Sequence, residues 1–539
     1  MRKVFTLPES DDSTLAKLDR EISENLVGFL RDRIVAGDIA PANLEQDFLD
    51  TRIPDDPTFV AEQTEFLLTK VVSQSVHTWS PYFVGHMTSA IPYFMVPLAK
   101  IMVVLNQNLV KIETSKAFTP LERQVIGMLH RLVYGDTAPC DDAFYERWTQ
   151  DFHQSLGNLC SGGTIANVTA LWVARNRLLP PRGEFTSVSE DGLPAALRAH
   201  GYDDLVVLVS KRGHYSLRKA ADLLGLGRKQ LIAVPVDENH KVNVDEMRRL
   251  ALEQRARRRG VVAVVGIAGT TETGSVDDLP RLADLAAELG CSFHVDAAWG
   301  GPTLFSSTSR HLLRGVERAD SVTLDAHKQL YVPMGAGACL FRDPAALNTI
   351  ETNANYIIRR GSRDIGKHTL EGSRPGMAML LHSGLRILGR RGYELLIDLG
   401  IGRAAHFAEV IRESDDFELI SEPELNILTY RFLPPAAARV LARGDVAARA
   451  AANAVLDELT ESIQKRERAR GKTFVSRTRF EVARYDGRVL TVLRVVLANP
   501  LTSPQILADI LDEQRGYAAE LLESEGYGRE LAALAAPLA

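Results

Sequence analysis

Hydrophobic positions change period several times along this chain. Over residues 13–36 they fall at Leu15, Leu18, Ile22, Leu26, Phe29, Leu30 and Ile34, which is the spacing of one helix face. Residues 56–74 repeat the theme with Phe59, Phe66, Leu67, Val71 and Val72. Two such helices cannot bury both faces by themselves, so they predict an N-terminal arm that packs on another subunit. The most apolar run, residues 91–105, carries Pro92, Pro97 and Lys100 and is too short to span a bilayer. It predicts a buried helix or an interface segment. Between these lies a stretch of another kind, residues 79–89. It is aromatic, broken by Pro81 and Gly85, and dotted with hydroxyls. It predicts an irregular loop that either packs on the surface or walls a pocket. Residues 120–134 predict a helix with Thr119 as N-cap and Pro120 in the first turn.

From residue 204 to 341 short apolar runs alternate with helical ones. Strands are predicted at 205–209, 231–236, 261–267, 292–295, 322–324 and 338–341, with helices such as 244–258 and 279–289 between them. Buried strands alternating with helices predict a mostly parallel sheet covered on both faces, the α/β class. Beyond residue 371 the pattern predicts a long helix over 377–399 and an exposed helix over 436–452. Strands follow from 417–432, then a hairpin over 478–497 turning at Asp486-Gly487, and a last helix starts at Ser503-Pro504. The expected organisation is an arm at 1–105, a large domain at 106–370 and a smaller α+β domain at 371–539.

Composition narrows the classes. A formal net charge of -6 gives no general attraction to nucleic acid or to anionic membranes. Six arginines between 248 and 259 sit on an amphipathic helix and predict a solvated face. Cys140, Cys160, Cys291 and Cys339 make no CxxC pair, no metal spacing and no disulfide framework, which fits a reducing cytoplasm. Residues 1–12 contain Arg2 and Lys3 but no sustained apolar run, so no secretory signal is expected.

Ligands of parallel sheets bind at the strands' carboxyl ends, and the polar residues of this chain gather there. His214 follows the first of the strands, Thr271 the third, Asp296 ends the fourth, and Asp325-Ala-His-Lys328 follows the fifth. Ser161-Gly-Gly-Thr164 precedes a strong helix, where backbone N–H groups and the helix dipole favour a phosphate. It lacks the lysine of a nucleotide P-loop. These positions can be assigned to one cofactor, pyridoxal 5'-phosphate. Lys328 supplies an amine for its aldehyde. Asp296 supplies an anion for the pyridine nitrogen. His214 supplies a flat ring for its face, and Gly163, Thr164 and His327 supply phosphate donors. Each has an ordinary alternative: Asp296 as a helix N-cap, His214 as a loop histidine, His327-Lys328 as a surface strand end.

The ordered set Ser161-Gly-Gly-Thr-Ile-Ala-Asn167, Lys211-Arg-Gly-His-Tyr-Ser216, Gly269-Thr-Thr271, His294-Val-Asp-Ala-Ala298, Asp325-Ala-His-Lys328, Glu371-Gly-Ser-Arg374 and Leu493-Arg-Val-Val-Leu-Ala-Asn-Pro500 resembles the group II pyridoxal-phosphate decarboxylases, the glutamate and aromatic-amino-acid decarboxylase family. The resemblance implies a type I pyridoxal-phosphate fold and a homodimer with its active site at the subunit interface. It implies Lys328 as the cofactor-bearing lysine, Asp296 as partner of the ring nitrogen and His214 as its stacking ring. Thr271 and Ala298 would line the ring, Ser373 would reach the phosphate from the partner subunit, and Arg494 would hold the substrate α-carboxylate. His86, Thr88 and Ser89 are expected at the second carboxylate of an acidic substrate.

The segments 82–89, 105–109 and 116–122 look most like a bacterial group proposed to be aspartate 1-decarboxylases supplying β-alanine for pantothenate. The chain departs from the family in the loop 357–370. That loop has no tyrosine to serve as proton donor; Arg363 and His368 stand nearest. The expected activity is decarboxylation of aspartate. The alternatives are glutamate or another amino acid, another type I activity such as an aminotransferase, and a non-catalytic dimeric scaffold, against which Lys328 and Asp296 argue.

Overall fold

The computed structural model describes residues 14–31, 35–354, 358–359 and 361–538. The N-terminal stretch 1–12, Ile34 and the start of the 357–370 loop at Ile357 lie outside them. Seven strands form the main sheet: β1 (Gly157–Cys160), β2 (Asp204–Ser210), β3 (Leu231–Val234), β4 (Arg259–Ile267), β5 (Ser292–Asp296), β6 (Ser321–Leu324) and β7 (Gly337–Phe341). Their order is β1-β7-β6-β5-β4-β2-β3. The pairs from β6 through β5, β4 and β2 to β3 are parallel, while β7 runs antiparallel to both β6 and β1. Nearly every residue of β2, β4, β5 and β6 is buried, because helices cover both faces. The helix Gly163–Leu178 lies on one face, and Val244–Ala256 and Leu279–Leu289 lie on the other.

A second sheet holds β8 (Phe417–Ser421), β9 (Ile427–Phe432), β10 (Ser476–Val482) and β11 (Arg488–Val496), all antiparallel, in the order β10-β11-β9-β8. The β10–β11 hairpin turns at Asp486 (φ 54°) and Gly487 (φ 72°), two left-handed residues whose twist matches that of the flanking strands. The helices Met377–Arg412, Val446–Arg470 and Pro504–Ser524 pack on this sheet. Ser503 caps the last of them by accepting from the N–H of Ile506 (3.3 Å).

Four expectations are corrected. Thr119 is no N-cap: the helix runs Phe118–Tyr134, and the buried Thr119 hydroxyl pairs with Ser115 Oγ at 2.6 Å. The long helix extends past residue 399 to Arg412, with a break at Gly389 (φ 63°) that only glycine takes readily. Residues 436–452 are not one exposed helix. Gly444 separates Pro435–Arg443 from Val446–Arg470, and Ala437, Val440 and Ala452 are buried. Finally, β1 was not anticipated as a strand.

In the arm, the helix Thr14–Arg31 and the short helix Val60–Phe66 with its N-cap Phe59 leave Ile22, Leu26, Phe59 and Val60 exposed. The helix Met95–Leu105 buries Met95 but exposes Ile101, Val103, Val104 and Leu105. Among the described residues no helix is long and apolar enough to cross a membrane.

Candidate active site

A cleft of about 450 Å³ opens at the carboxyl ends of the parallel strands. Lys328 enters it from the turn after β6, with Nζ 3.1 Å from Asp325 Oδ2. Asp325 is buried, and its other oxygen, Oδ1, has no hydrogen-bond partner among the described residues. Three glycines make room for this carboxylate. A Cβ at Gly163 would lie 2.8 Å from Oδ2, and one at Gly337 would lie 2.7 Å from Oδ1 and from the Cα of Gly162. Gly162 itself sits at φ 154°, beside the His327 ring. His327 donates from Nδ1 to the carbonyl of Ala336 (2.8 Å), which leaves Nε2 free toward Asp325, 3.8 Å away.

At the end of β5, Asp296 is buried and fixed on both oxygens. Oδ2 accepts from Asn167 Nδ2 (2.8 Å) and Oδ1 from the N–H of Ala298 (3.2 Å). Asn167 is the hub of this region. Its Nδ2 also donates to Ser216 Oγ (2.9 Å), while its Oδ1 accepts from Thr323 Oγ1 (2.7 Å) and His294 Nε2 (3.1 Å). Burial pushes the His294 pKa down to about 4, so the ring is neutral and carries its proton on Nε2. Ser216 in turn holds His214: the Ser216 hydroxyl and N–H both meet His214 Nδ1, at 2.8 and 3.3 Å. His214 caps the helix Tyr215–Leu223 with its ring on the cleft. Burial lowers its pKa, opposed by the Asp296 charge.

The far wall comes from the second sheet. Arg494 on β11 donates from Nη1 to the Thr271 carbonyl (2.8 Å) and from Nη2 to the Gly85 carbonyl (3.1 Å). The aromatic loop reaches this point because Val84 is zipped into the hairpin. Its N–H donates to Phe474 O (3.1 Å) and its carbonyl accepts from Val496 (2.6 Å). A Cβ at Gly85 would lie 2.5 Å from the N of Ser476, so only glycine allows this approach. His86 then faces the cleft, with Nδ1 held by Thr88 Oγ1 (2.9 Å). Burial lowers its pKa, reinforced by the charges of Arg494 and Lys328.

The fold thus brings His86, Gly163, Thr164, His214, Thr271, Asp296, Ala298, His327, Lys328 and Arg494 to one cleft. Three expected residues do not line it in this chain. Ser373 accepts from Asn108 Nδ2 (2.9 Å), Thr88 stands behind His86, and the Ser89 hydroxyl is buried with no partner among the described residues. Arg363 and His368 also stay away. Arg363 stacks over the Phe152 ring (5.0 Å), and His368 is buried near Glu351 (3.7 Å) with its pKa pushed down to about 4. Sequence reasoning missed Asn167, Asp325, Arg212 and Trp299. Asn167, Asp325 and Arg212 lay inside quoted motifs; Asp325 follows a strand end and Arg212 precedes a glycine, whereas Asn167 sits a turn inside its helix with no such signal.

The model of the pyridoxal-dependent decarboxylase conserved domain matches residues 41–433. The chain belongs to the pyridoxal-dependent decarboxylase family. It is 55% identical over 517 residues to a protein named aspartate 1-decarboxylase from Aliivibrio fischeri, covering 96% of this chain and 94% of that one. It is 30% identical over 387 residues to L-aspartate decarboxylase dtxS4 of Metarhizium robertsii, covering 71% of each. Among solved structures, that of mouse CSAD superposes with a TM-score of 0.81 at 25% identity, covering 94% of this chain and 99% of that one.

The chain is therefore a pyridoxal-phosphate-dependent amino-acid decarboxylase of type I fold. The cleft fits the cofactor on its own chemistry. An anchored amine, a buried carboxylate locked by Asn167, and a side-chain-free Gly162-Gly163 corner at a helix N-terminus are what an aldehyde, a pyridinium and a phosphate require.

Proposed function

We propose that this decarboxylase acts on L-aspartate, giving β-alanine and carbon dioxide. Arg494 in the cleft with Lys328 supports an amino-acid substrate held by its α-carboxylate. The name of the 55% identical relative supports aspartate. Pyridoxal phosphate, when bound, supplies the aldehyde that takes the substrate amine and a ring that accepts the electron pair left by carbon dioxide. The rest is done by the chain. Lys328 offers its amine, and Asp296 keeps a proton on the ring nitrogen. His214 covers the ring face, held by Ser216. Gly163, Thr164 and His327 hold the phosphate, with Ser373 of the partner subunit, while Thr271 and Ala298 line the ring. Arg494 would grip the α-carboxylate and so orient the substrate for its loss as carbon dioxide. His86, with Thr88 and Ser89 behind it, borders the substrate side chain.

The chain works as a homodimer in the cytoplasm, organised as an arm (1–105), a cofactor domain (106–370) and a small domain (371–539). Its product feeds pantothenate synthesis. The exposed apolar residues of Met95–Leu105 support the dimer. The test is a panel of aspartate, glutamate, cysteine sulfinate and tyrosine with product identification by mass spectrometry. β-Alanine from aspartate at the highest kcat/KM is expected. Preference for glutamate or tyrosine overturns the assignment.

A further inference from the structure

Aspartate carries two carboxylates, and Arg494 can hold one. The remaining cation on the cleft is Arg212, in the tight turn after β2 where its N–H donates to Ser210 Oγ (3.1 Å). The residue is 7% exposed. The guanidinium lies 4.7 Å over the Phe480 ring and donates from Nη2 to the Glu481 carbonyl (3.2 Å), both on β10. The neighbouring Lys211 pairs with the Glu481 carboxylate and pins the turn to the same strand. A guanidinium has five N–H donors. This one makes a single side-chain hydrogen bond, and its Nε is buried with no partner among the described residues. An arginine serving only to staple the two sheets would spend more of its donors on protein acceptors.

Charge on the cleft points the same way. Asp325 pairs with Lys328, and Asp296 is bound by Asn167 at the cofactor end. Beyond them Arg212 and Arg494 lie in the field of one carboxyl group, Glu272, which burial drives toward its neutral form and whose Oε2 is buried with no hydrogen bond among the described residues. Two guanidinium groups beside a carboxyl that burial disfavours as an anion leave a cationic excess, and buried charge without a partner is costly. His86 adds no charge, because burial, Arg494 and Lys328 all disfavour its proton. Thr88 and Ser89 do not reach the cleft.

We propose that Arg212 is the specificity-determining residue of this enzyme: it binds the side-chain carboxylate of the substrate while Arg494 binds the α-carboxylate. The proposal rests on the acidic-substrate reading above. A dicarboxylate neutralises both arginines; a substrate with an apolar side chain leaves Arg212 unpaired, so selectivity follows from the penalty as much as from the bond.

The test uses the holoenzyme and two unreactive probes, succinate and butyrate, measured by calorimetry beside aspartate kinetics. In Arg212→Gln the Kd of succinate and the KM for aspartate should rise about tenfold or more, because one partner of a buried charge pair is gone. The Kd of butyrate, with one carboxylate, should stay where it is, and kcat should change less than KM. An unchanged succinate Kd overturns the proposal, as does an equal weakening of succinate and butyrate. Should Arg212→Gln fail to fold, Arg212→Lys keeps the charge and the stem but loses the planar fork. It should raise the succinate Kd about threefold or more, and parity with the parent overturns the proposal. Failure of the underlying reading looks different. The parent itself would then prefer a non-acidic amino acid and bind succinate no better than butyrate.

Discussion

At the scale of single residues, the cleft is organised by an amide that carries no charge. Asn167 ties Asp296, Ser216, Thr323 and His294 together from one position on the helix Gly163–Leu178. Its two donors and two acceptor sites are all used, and that fixes the orientation of the Asp296 carboxylate at the end of β5. The neutral His294 completes the set. Its Nδ1 accepts a hydrogen bond from Ser321 Oγ (2.9 Å) while Nε2 donates to Asn167. A prediction follows for Asp296. Asp296→Asn is nearly isosteric and can still accept from Asn167, so cofactor content, read from visible absorbance, should hold. Turnover should fall by about 100-fold or more, since a neutral amide no longer stabilises a protonated ring nitrogen. A kcat near that of the parent would mean that the carboxylate has another task.

At the scale of elements, the site depends on how closely β7 and the turn after β1 approach each other. β7 runs antiparallel between β1 and β6, and Gly337 at its start faces Gly162. Gly337→Ala would place a methyl 2.7 Å from both the Gly162 Cα and Asp325 Oδ1. Backbone on one side and a buried carboxylate on the other leave little room to relax. The variant should lose about 1–3 kcal/mol of stability. It should also bind pyridoxal phosphate more weakly, because the Gly162–Gly163 corner is displaced. Thermal denaturation and equilibrium dialysis of the cofactor check the two effects separately, and parent-like values in both would show the corner to be pliable.

For the whole molecule, the apolar surface that the monomer leaves uncovered is the main datum. Val103 and Val104 are 69% and 78% exposed, next to Ile101 and Leu105 on the same helix. Phe59 and Val60 on the arm add to this surface. Covering such residues in a second copy removes them from water. Sedimentation should therefore report a dimer at micromolar concentration. Val103→Asp with Val104→Asp should shift it toward monomer and lower activity in parallel, with activity recovering as protein concentration rises. A double variant that stays dimeric would place the interface elsewhere.

Much of this was written in the chain itself. Strands β2, β4, β5 and β6 are buried on both faces, so they appear as apolar runs with polar residues at their ends, interrupted only by His294 and Thr323, which both meet Asn167. Local composition is enough to place His214, Thr271, Asp296 and Lys328 at the same edge of one sheet. The Asp486-Gly487 turn and the Ser503 cap were equally legible, since each is a short-range hydrogen-bonding device. What lacked a local cause lacked a local signal. Residues Gly157–Cys160 form a strand because β7 lies beside them. Thr119 faces Ser115 inside a helix that had already begun. Arg212 and Glu272 come into one electrostatic field with Arg494 only when β10 and β11, more than 200 residues later in the chain, fold against the turn after β2. Periodicity reports the environment along a segment; the partner across a cleft is chosen by packing between segments, and only the tertiary structure decides it.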